Sequence, residues 1–367
     1  MTHAPDGRTG GDRSGTGPAP AGDPALVTGP GTAADLGPVT GSGPAAEGVA
    51  DRVRDRSRRL LLLGGAAAAA AGTVGLLLRD RTGPPVPASL VLATGPQGAV
   101  FVEVGNDLAN AIRGTSPGTS VRVLVTAATV DNLGLLAERR ADLAFGALDA
   151  VVSDDRVRTG SITALCRLYD SFLHLVVLDG SPIRALTDLA GHRVAVGAAG
   201  SGTEFSVTKL LQATGIRPAA LPRMGQNPAM DALAAGSVDA AFSLTGFPTP
   251  AITKLAGRQR IRLVPLGDYF RTLDGAVPRV YGPGPIPEGT YPEVPSTESV
   301  YVPNVLLARS GLPDEVVTFV IGVLLSAQSR RYWVHPDSSR INVRSAIATG
   351  QVGLHPAAVT WLRDHKP

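Results

Sequence analysis

Apolar positions along the first part of the chain change period several times. Residues 89–94 (Ser-Leu-Val-Leu-Ala-Thr) read as a short buried strand, and Gly95-Pro-Gln-Gly98 as a turn. Residues 99–113 carry a helical apolar stripe that Gly114 and Pro117 end. Residues 120–126 alternate as a second strand. Thr129 then caps a helix bearing Leu133, Leu135 and Leu136, and residues 141–145 form a third strand. Strand–helix–strand–helix–strand predicts an α/β fold with a parallel sheet under helices. In such a sheet ligands sit where strands end, here at residues 94–98, 126–129 and 146–149.

The rhythm restarts after a connecting stretch at 162–169. Strands are expected at 172–178, 193–197, 238–242 and 261–265, with helices at 186–190, from Thr203 to about 213, at 227–235 and at 250–256. The proline-rich residues 283–295 read as a loop. Residues 301–308 read as a strand returning to the first half, followed by helices at 313–326 and 355–364. Two lobes follow, 89–169 plus 300–367 and 170–299.

The stretch from Arg193 to Glu204 carries the most chemistry. A small-residue loop, Ala198 to Gly202, joins a strand to a helix start, so unpaired amides and the Ser201 and Thr203 hydroxyls meet at one point. Such a point suits an anion. It also suits a plain strand-to-helix turn with Ser201 as N-cap. Gly197, Gly200 and Gly202 do not make G-x-G-x-x-G, and no phosphate-loop lysine motif is present.

The amino-terminal region has a different character. Residues 1–56 are Gly, Pro, Ala, Thr and Asp without period or aromatics, the composition of a disordered tail. Arginines at 52, 54, 56, 58 and 59 precede residues 60–78, an uncharged run that as a helix spans roughly 28 Å, about the thickness of a hydrocarbon core. This cationic flank predicts a cytoplasmic tail and an exported body. Ser57-Arg-Arg-Leu-Leu-Leu62 resembles a twin-arginine signal. Residues 57–88 are therefore a signal peptide cut after Ala88, a retained membrane anchor through 60–78, or a core helix.

Composition narrows the function. The pI near 9.2 comes from arginines scattered along the chain, with lysine only at 209, 254 and 366, so no basic stripe predicts a nucleic-acid partner. The lone Cys166 precludes an intrachain disulfide. No histidine pair has ligand spacing, so neither a metal nor a cofactor is expected. Ser201 lacks the G-x-S-x-G elbow. Glu103, Asp107, Asp149 and Glu204 are isolated carboxylates suited to solvated or capping roles. Nothing assembles a reaction centre, and the residues point to binding rather than to an enzyme.

With these residues placed, the body resembles the TAXI family of solute receptors of TRAP transporters. Thr94-Gly-Pro-Gln-Gly-Ala-Val-Phe101 is similar to a T-G-G-x-x-G-x-Y loop, and Val130-Asp-Asn-Leu133 with Leu136 and Ala141-Asp-Leu143 to a V-x-N-x-x-L…A-D-L pattern. Leu168-Tyr169 with Leu173-His-Leu-Val-Val177 resembles the passage into the second lobe. Gly197-Ala-Ala-Gly-Ser-Gly-Thr203 is similar to G-x-x-G-S-G-T. Gly246-Phe-Pro248, Val302-Pro-Asn304 and Leu312-Pro-Asp-Glu315 follow in the family's order. The resemblance covers residues 90–355.

It implies a two-lobed periplasmic-binding-protein fold (type II, Venus-flytrap) that passes a small anionic or zwitterionic solute, a carboxylate or amino acid, to TRAP-type permease subunits. Carried over residue by residue, the ligand-binding positions are Thr94, Gly98, Phe101, Ser201, Gly202, Thr203, Gly246 and Phe247. Two departures stand out: Ala147-Leu148-Asp149 replaces the frequent Gln-Ser-Asp, and Val102-Glu103 stands where an aromatic and a proline are usual. The alternative is a membrane-anchored sensor or interaction protein with no transport role.

Overall fold

A computed structural model describes residues 86–366. The expectations for 1–56, and for 57–88 but for its last three residues, lie outside the described residues. In chain order the first elements are β1 (Ser89–Ala93), α1 (Val100–Thr115), β2 (Ser120–Leu124), α2 (Thr129–Ala137), β3 (Leu143–Ala147), α3 (Leu148–Val152) and α4 (Asp155–Arg158). Next come β4 (Ile162–Leu178), β5 (Val194–Ala195), α5 (Gly202–Thr214), α6 (Gln226–Ala234), β6 (Ala240–Thr245), α7 (Pro250–Ala256) and β7 (Ile261–Leu263). The chain continues through α8 (Phe270–Ala276), β8 (Gly282–Ile286), β9 (Thr297–Arg309), α9 (Asp314–Leu325), α10 (Val343–Ala346) and α11 (Pro356–Asp364).

All nine strands join one sheet in the order β2-β1-β3-β9-β4-β6-β5, with β7 paired to β4 and β8 to β9. The opening β1–β2 and β1–β3 pairs are parallel, as the alternation of strands and helices predicts. Beyond β3 the sheet turns mixed, because the late strand β9 inserts antiparallel between β3 and β4. The expected connecting stretch at 162–169 is instead the first half of β4, a single strand of 17 residues. Its register against β9 slips between Ala164 and Cys166 and again between Arg167 and Asp170. Such irregularities bend and twist a strand, which curls the sheet.

The proline-rich segment expected as a loop supplies β8, an outer strand. Proline lacks the amide donor of an inner ladder, so Pro283 and Pro285 are tolerated on a strand with one neighbour. Of the strand end expected at 146–149, Gly146 and Ala147 close β3, and Leu148 and Asp149 open the short helix α3.

Apolar side chains gather in three clusters. One lies among α1, α9, α11 and their strands, and one among α6, α7 and the residues near Tyr291. The third runs from Leu133 and Val151 to Phe242 and Val302, and so spans the middle of the sheet. Cys166 is fully buried in the first, and burial pushes its thiol up to about 12, so it behaves as a small apolar side chain.

Asn132 in α2 organises the strand ends. Its Nδ2 donates to the carbonyls of Thr94 (2.7 Å) and Phe145 (2.8 Å), while its Oδ1 accepts from the Thr126 hydroxyl (2.7 Å). Leucine has the same bulk and no polar atoms, so Asn132→Leu would leave both carbonyls buried without these bonds. The expected loss is about 1–3 kcal/mol for each group left unpaired, read as a lower denaturant midpoint. A midpoint unchanged within error would show that Asn132 does not hold the strand ends.

Candidate functional site

The loop after β5 folds back on the first turn of α5 and forms one wall of a small cavity. Gly197 makes this possible: at φ 93° it occupies the left-handed region, and a Cβ there would stand 2.6 Å from the Thr203 Cβ. Ser201 is the N-cap, its Oγ accepting from the Glu204 amide at 3.0 Å. Glu204 reaches back to accept from the Gly200 amide at 2.8 Å. Gly202 and Thr203 are thereby held with first-turn amides that a helix leaves without intrahelical partners.

The opposite wall comes from residues 96–147. Phe101 of α1, Ala128 and Thr129 at the start of α2, and Ala147 at the end of β3 face the loop across the cavity. Ser171 on β4 and Thr245 on β6 also line it, and Gln226 of α6 adds an amide side chain. Ala128 has φ 89° and ψ −145°, a conformation that non-glycine residues rarely adopt. Among the described residues no charged side chain lines the cavity. Its volume is about 30 Å³, on the scale of a single water molecule.

Hydrogen bonds join the walls around the cavity. The amides of Val130 and Asp131, in the first turn of α2, donate to the Gly200 carbonyl at 3.2 and 3.3 Å. Val100 N donates to Thr245 Oγ1 at 3.4 Å, and Ala251 N to the Gly98 carbonyl at 3.2 Å. Behind α5, Asp149 is wholly buried and accepts from the hydroxyls of Ser206 and Tyr281 and from the Ala150 amide. Burial raises its pKa, because no cation compensates the lost hydration. Of the solvated or capping roles expected for these carboxylates, buried Asp149 and Asp107 do not show the solvated one. Asp107 caps the amides of Val334 and His335 (2.9 and 3.0 Å).

Of the eight residues singled out from sequence, the cavity gathers four: Phe101, Ser201, Gly202 and Thr203. Thr94 is buried behind it, its hydroxyl donating to the Leu124 carbonyl at 2.7 Å. Gly98 lies at the bond to Ala251, outside the lining. Gly246 and Phe247 belong to a separate buried cluster. A Cβ on Gly246 would overlap Asp337 Oδ2, and the Phe247 ring lies under the Arg340 guanidinium at 4.2 Å. Asp337 pairs with Arg340, yet burial pushes its carboxyl up to about 7.

Sequence reading missed Ser171, Gln226 and Thr245. The first falls between the connection read at 162–169 and the strand read at 172–178. The second stands at the very start of a helix, and the third lies past the strand expected at 238–242, which the structure extends to Thr245. Thr129 was visible as a helix cap, but it is the first helical residue, and its Oγ1 accepts from the Ala147 amide (3.0 Å). A larger surface groove runs along the outer face of α5 near Leu211 and Arg217, with no comparable convergence of buried polar groups. Among the described residues no cluster of three or more metal-ligating side chains occurs, and no helix is long and apolar enough to cross a membrane.

A family model described as the NMT1-like family matches residues 92–365. Solved structures resemble the chain more distantly. A putative L-cystine ABC transporter from Listeria monocytogenes is 17% identical, with 65% of this chain and 89% of that chain covered at a TM-score of 0.42. The periplasmic aliphatic sulphonate binding protein SsuA from Escherichia coli is 17% identical, with 77% and 84% covered at 0.42. The effector binding domain of a BenM variant is 14% identical, with 67% and 95% covered at 0.43.

The cluster at Asp337 yields a pH test. The folded state retains a proton on Asp337 up to about pH 7 that the unfolded chain releases near 3.8. This residue's contribution therefore favours folding at low pH and is lost as pH rises through about 7. His174 and His335, whose pKa values burial lowers, act in the opposite sense, so the informative quantity is a difference between proteins. Relative to Asp337→Asn, the wild type should lose stability steadily from pH 4 to about pH 7 in urea titrations. Parallel curves for the two proteins would remove Asp337 as the titrating group.

Proposed function

The chain belongs to the NMT1-like family, and we propose that it is an extracytoplasmic solute receptor that binds rather than transforms its ligand. The observation that carries this reading is the cavity. Residues from both halves of the sheet converge there on one small, enclosed space beside the first turn of α5, lined by apolar side chains and a few hydroxyls. A volume near one water does not admit a solute, so on this reading the two halves of a Venus-flytrap receptor must part to take one. On this reading the lobes are 89–169 with 300–367, and 170–299. Opening would break the bonds from Val130 and Asp131 to Gly200, and the strands crossing between lobes, β4 near 169–172 and β9 near 299–301, would flex.

Phe101, Ser201, Gly202 and Thr203 contact the solute in this proposal, while Thr94, Gly98, Gly246 and Phe247 shape the surrounding loops. The finer assignment is a TAXI-type receptor delivering its solute to a TRAP-type permease. It rests on the ordered motifs from Thr94 to Glu315, and export rests on the basic flank and apolar run before residue 79.

A thermal-shift screen of the protein against small carboxylates, amino acids and phosphates tests the reading. Ligand at 100 times its dissociation constant should add about 2.7 kcal/mol of stability. Thr203→Ala should weaken a hit by about 1–2 kcal/mol, the scale of a hydrogen bond to a charged group. Unchanged affinity in that variant would remove Thr203 from the site.

A further inference from the structure

The polar groups around the cavity share a property that restricts the solute. An N–H group can only donate, so a hydroxyl bonded to one is acting as acceptor and keeps its own proton for another partner. This holds for every hydroxyl lining the cavity. Thr129 Oγ1 accepts from Ala147 N at 3.0 Å, Thr203 Oγ1 from Leu244 N at 3.0 Å, and Thr245 Oγ1 from Val100 N at 3.4 Å. Ser201 Oγ accepts from Glu204 N at 3.0 Å, and Ser171 Oγ from Asn304 Nδ2 at 2.8 Å. Gln226, with only 8% of its surface exposed, has its Oε1 bonded by the Ser243 hydroxyl at 2.7 Å. Its amide nitrogen is the end left to offer.

We infer that the cavity is a cage of donors that selects a small monoanionic oxyanion, a carboxylate or sulfonate, carrying no ammonium group. This rests on the receptor reading and narrows it. Five hydroxyl protons, the Gln226 amide and the amides of Gly202 and Thr203 all seek acceptors, and an oxyanion presents only acceptors. An ammonium group has three donors and finds no acceptor of matching charge. Glu204 is held by the Gly200 amide and Arg223, and Asp149 lies behind Ser206, neither of them lining the cavity. Burying an unpaired ammonium is costly. No Arg, Lys or His lines the cavity either, so a second negative charge would lack compensation. The departure at Ala147-Leu148 fits this picture, since alanine and leucine supply no acceptor that could receive an amine.

Calorimetric titration of the full chain with matched pairs tests the inference: propanoate against alanine, butanoate against 2-aminobutanoate, and ethanesulfonate against taurine. The expected result is binding of the amine-free member about tenfold or more tighter in at least one pair, and the sulfonate pair separates the two oxyanion sources. An amino partner that binds equally or more tightly overturns the inference and leaves the receptor reading standing. Silence toward all six compounds overturns both. Gln226→Glu replaces the free donor with a carboxylate of the same shape, and should weaken the amine-free ligand about tenfold while narrowing its advantage over the amine. Ser171→Ala, which removes one donor without adding charge, should weaken both members of a pair. Unchanged affinities in these two variants would overturn the donor cage.

Discussion

Three segments of chain end at the same depth beneath α2, and one buried side chain ties them. Asn132 bonds the carbonyls at the end of β1 and within β3 and the hydroxyl of Thr126 just past β2. Backbone carbonyls at strand ends have left their ladder and must find partners if they are buried. A single amide meets two such needs, accepts from the Thr126 hydroxyl besides, and so ties the three segments together. The wall made by Phe101, Thr129 and Ala147 inherits its position from that arrangement.

The same requirement operates across the cavity. The first-turn amides of α2 have no intrahelical partner, and the Gly200 carbonyl supplies one from the opposite loop. The first-turn amides of α5 face inward beside Ser201. The start of α2 is thus satisfied by the loop before α5, while the start of α5 is capped by Ser201. Wall hydroxyls of Thr129, Thr203 and Thr245 accept from backbone amides on other segments and so tie the walls together. Asp149 fits within the same scheme. Bonded to Ser206 and Tyr281, it braces α5 from behind without adding an acceptor to the cavity.

Much of the α/β pattern was legible from the order of residues, because each early strand and helix has a clean period and glycine or proline at its boundaries. The α5 loop was legible for the same reason: Gly197, Ser201 and Thr203 carry conformational and capping preferences that act locally. Half of the eight residues singled out lie elsewhere, and the reason is physical. Thr94, Gly98, Gly246 and Phe247 stand in loops at the right ends of strands. Whether such a residue faces the cavity, however, depends on neighbours distant in sequence, such as Asp337 against Gly246 and Ala251 against Gly98.

By itself the sequence determined which segments up to residue 145 are strands and helices and where the glycine-rich helix start of α5 lies, since these follow from local period, capping and spacing. Tertiary structure alone decided that β9 inserts antiparallel between β3 and β4, that residues 162–178 are one bent strand, and that Ser171, Gln226 and Thr245 meet Thr203. Strand pairing and the sharing of buried hydrogen bonds are chosen among groups far apart in sequence, such as Val100 and Thr245, 145 positions apart. No local pattern encodes a partner at that distance.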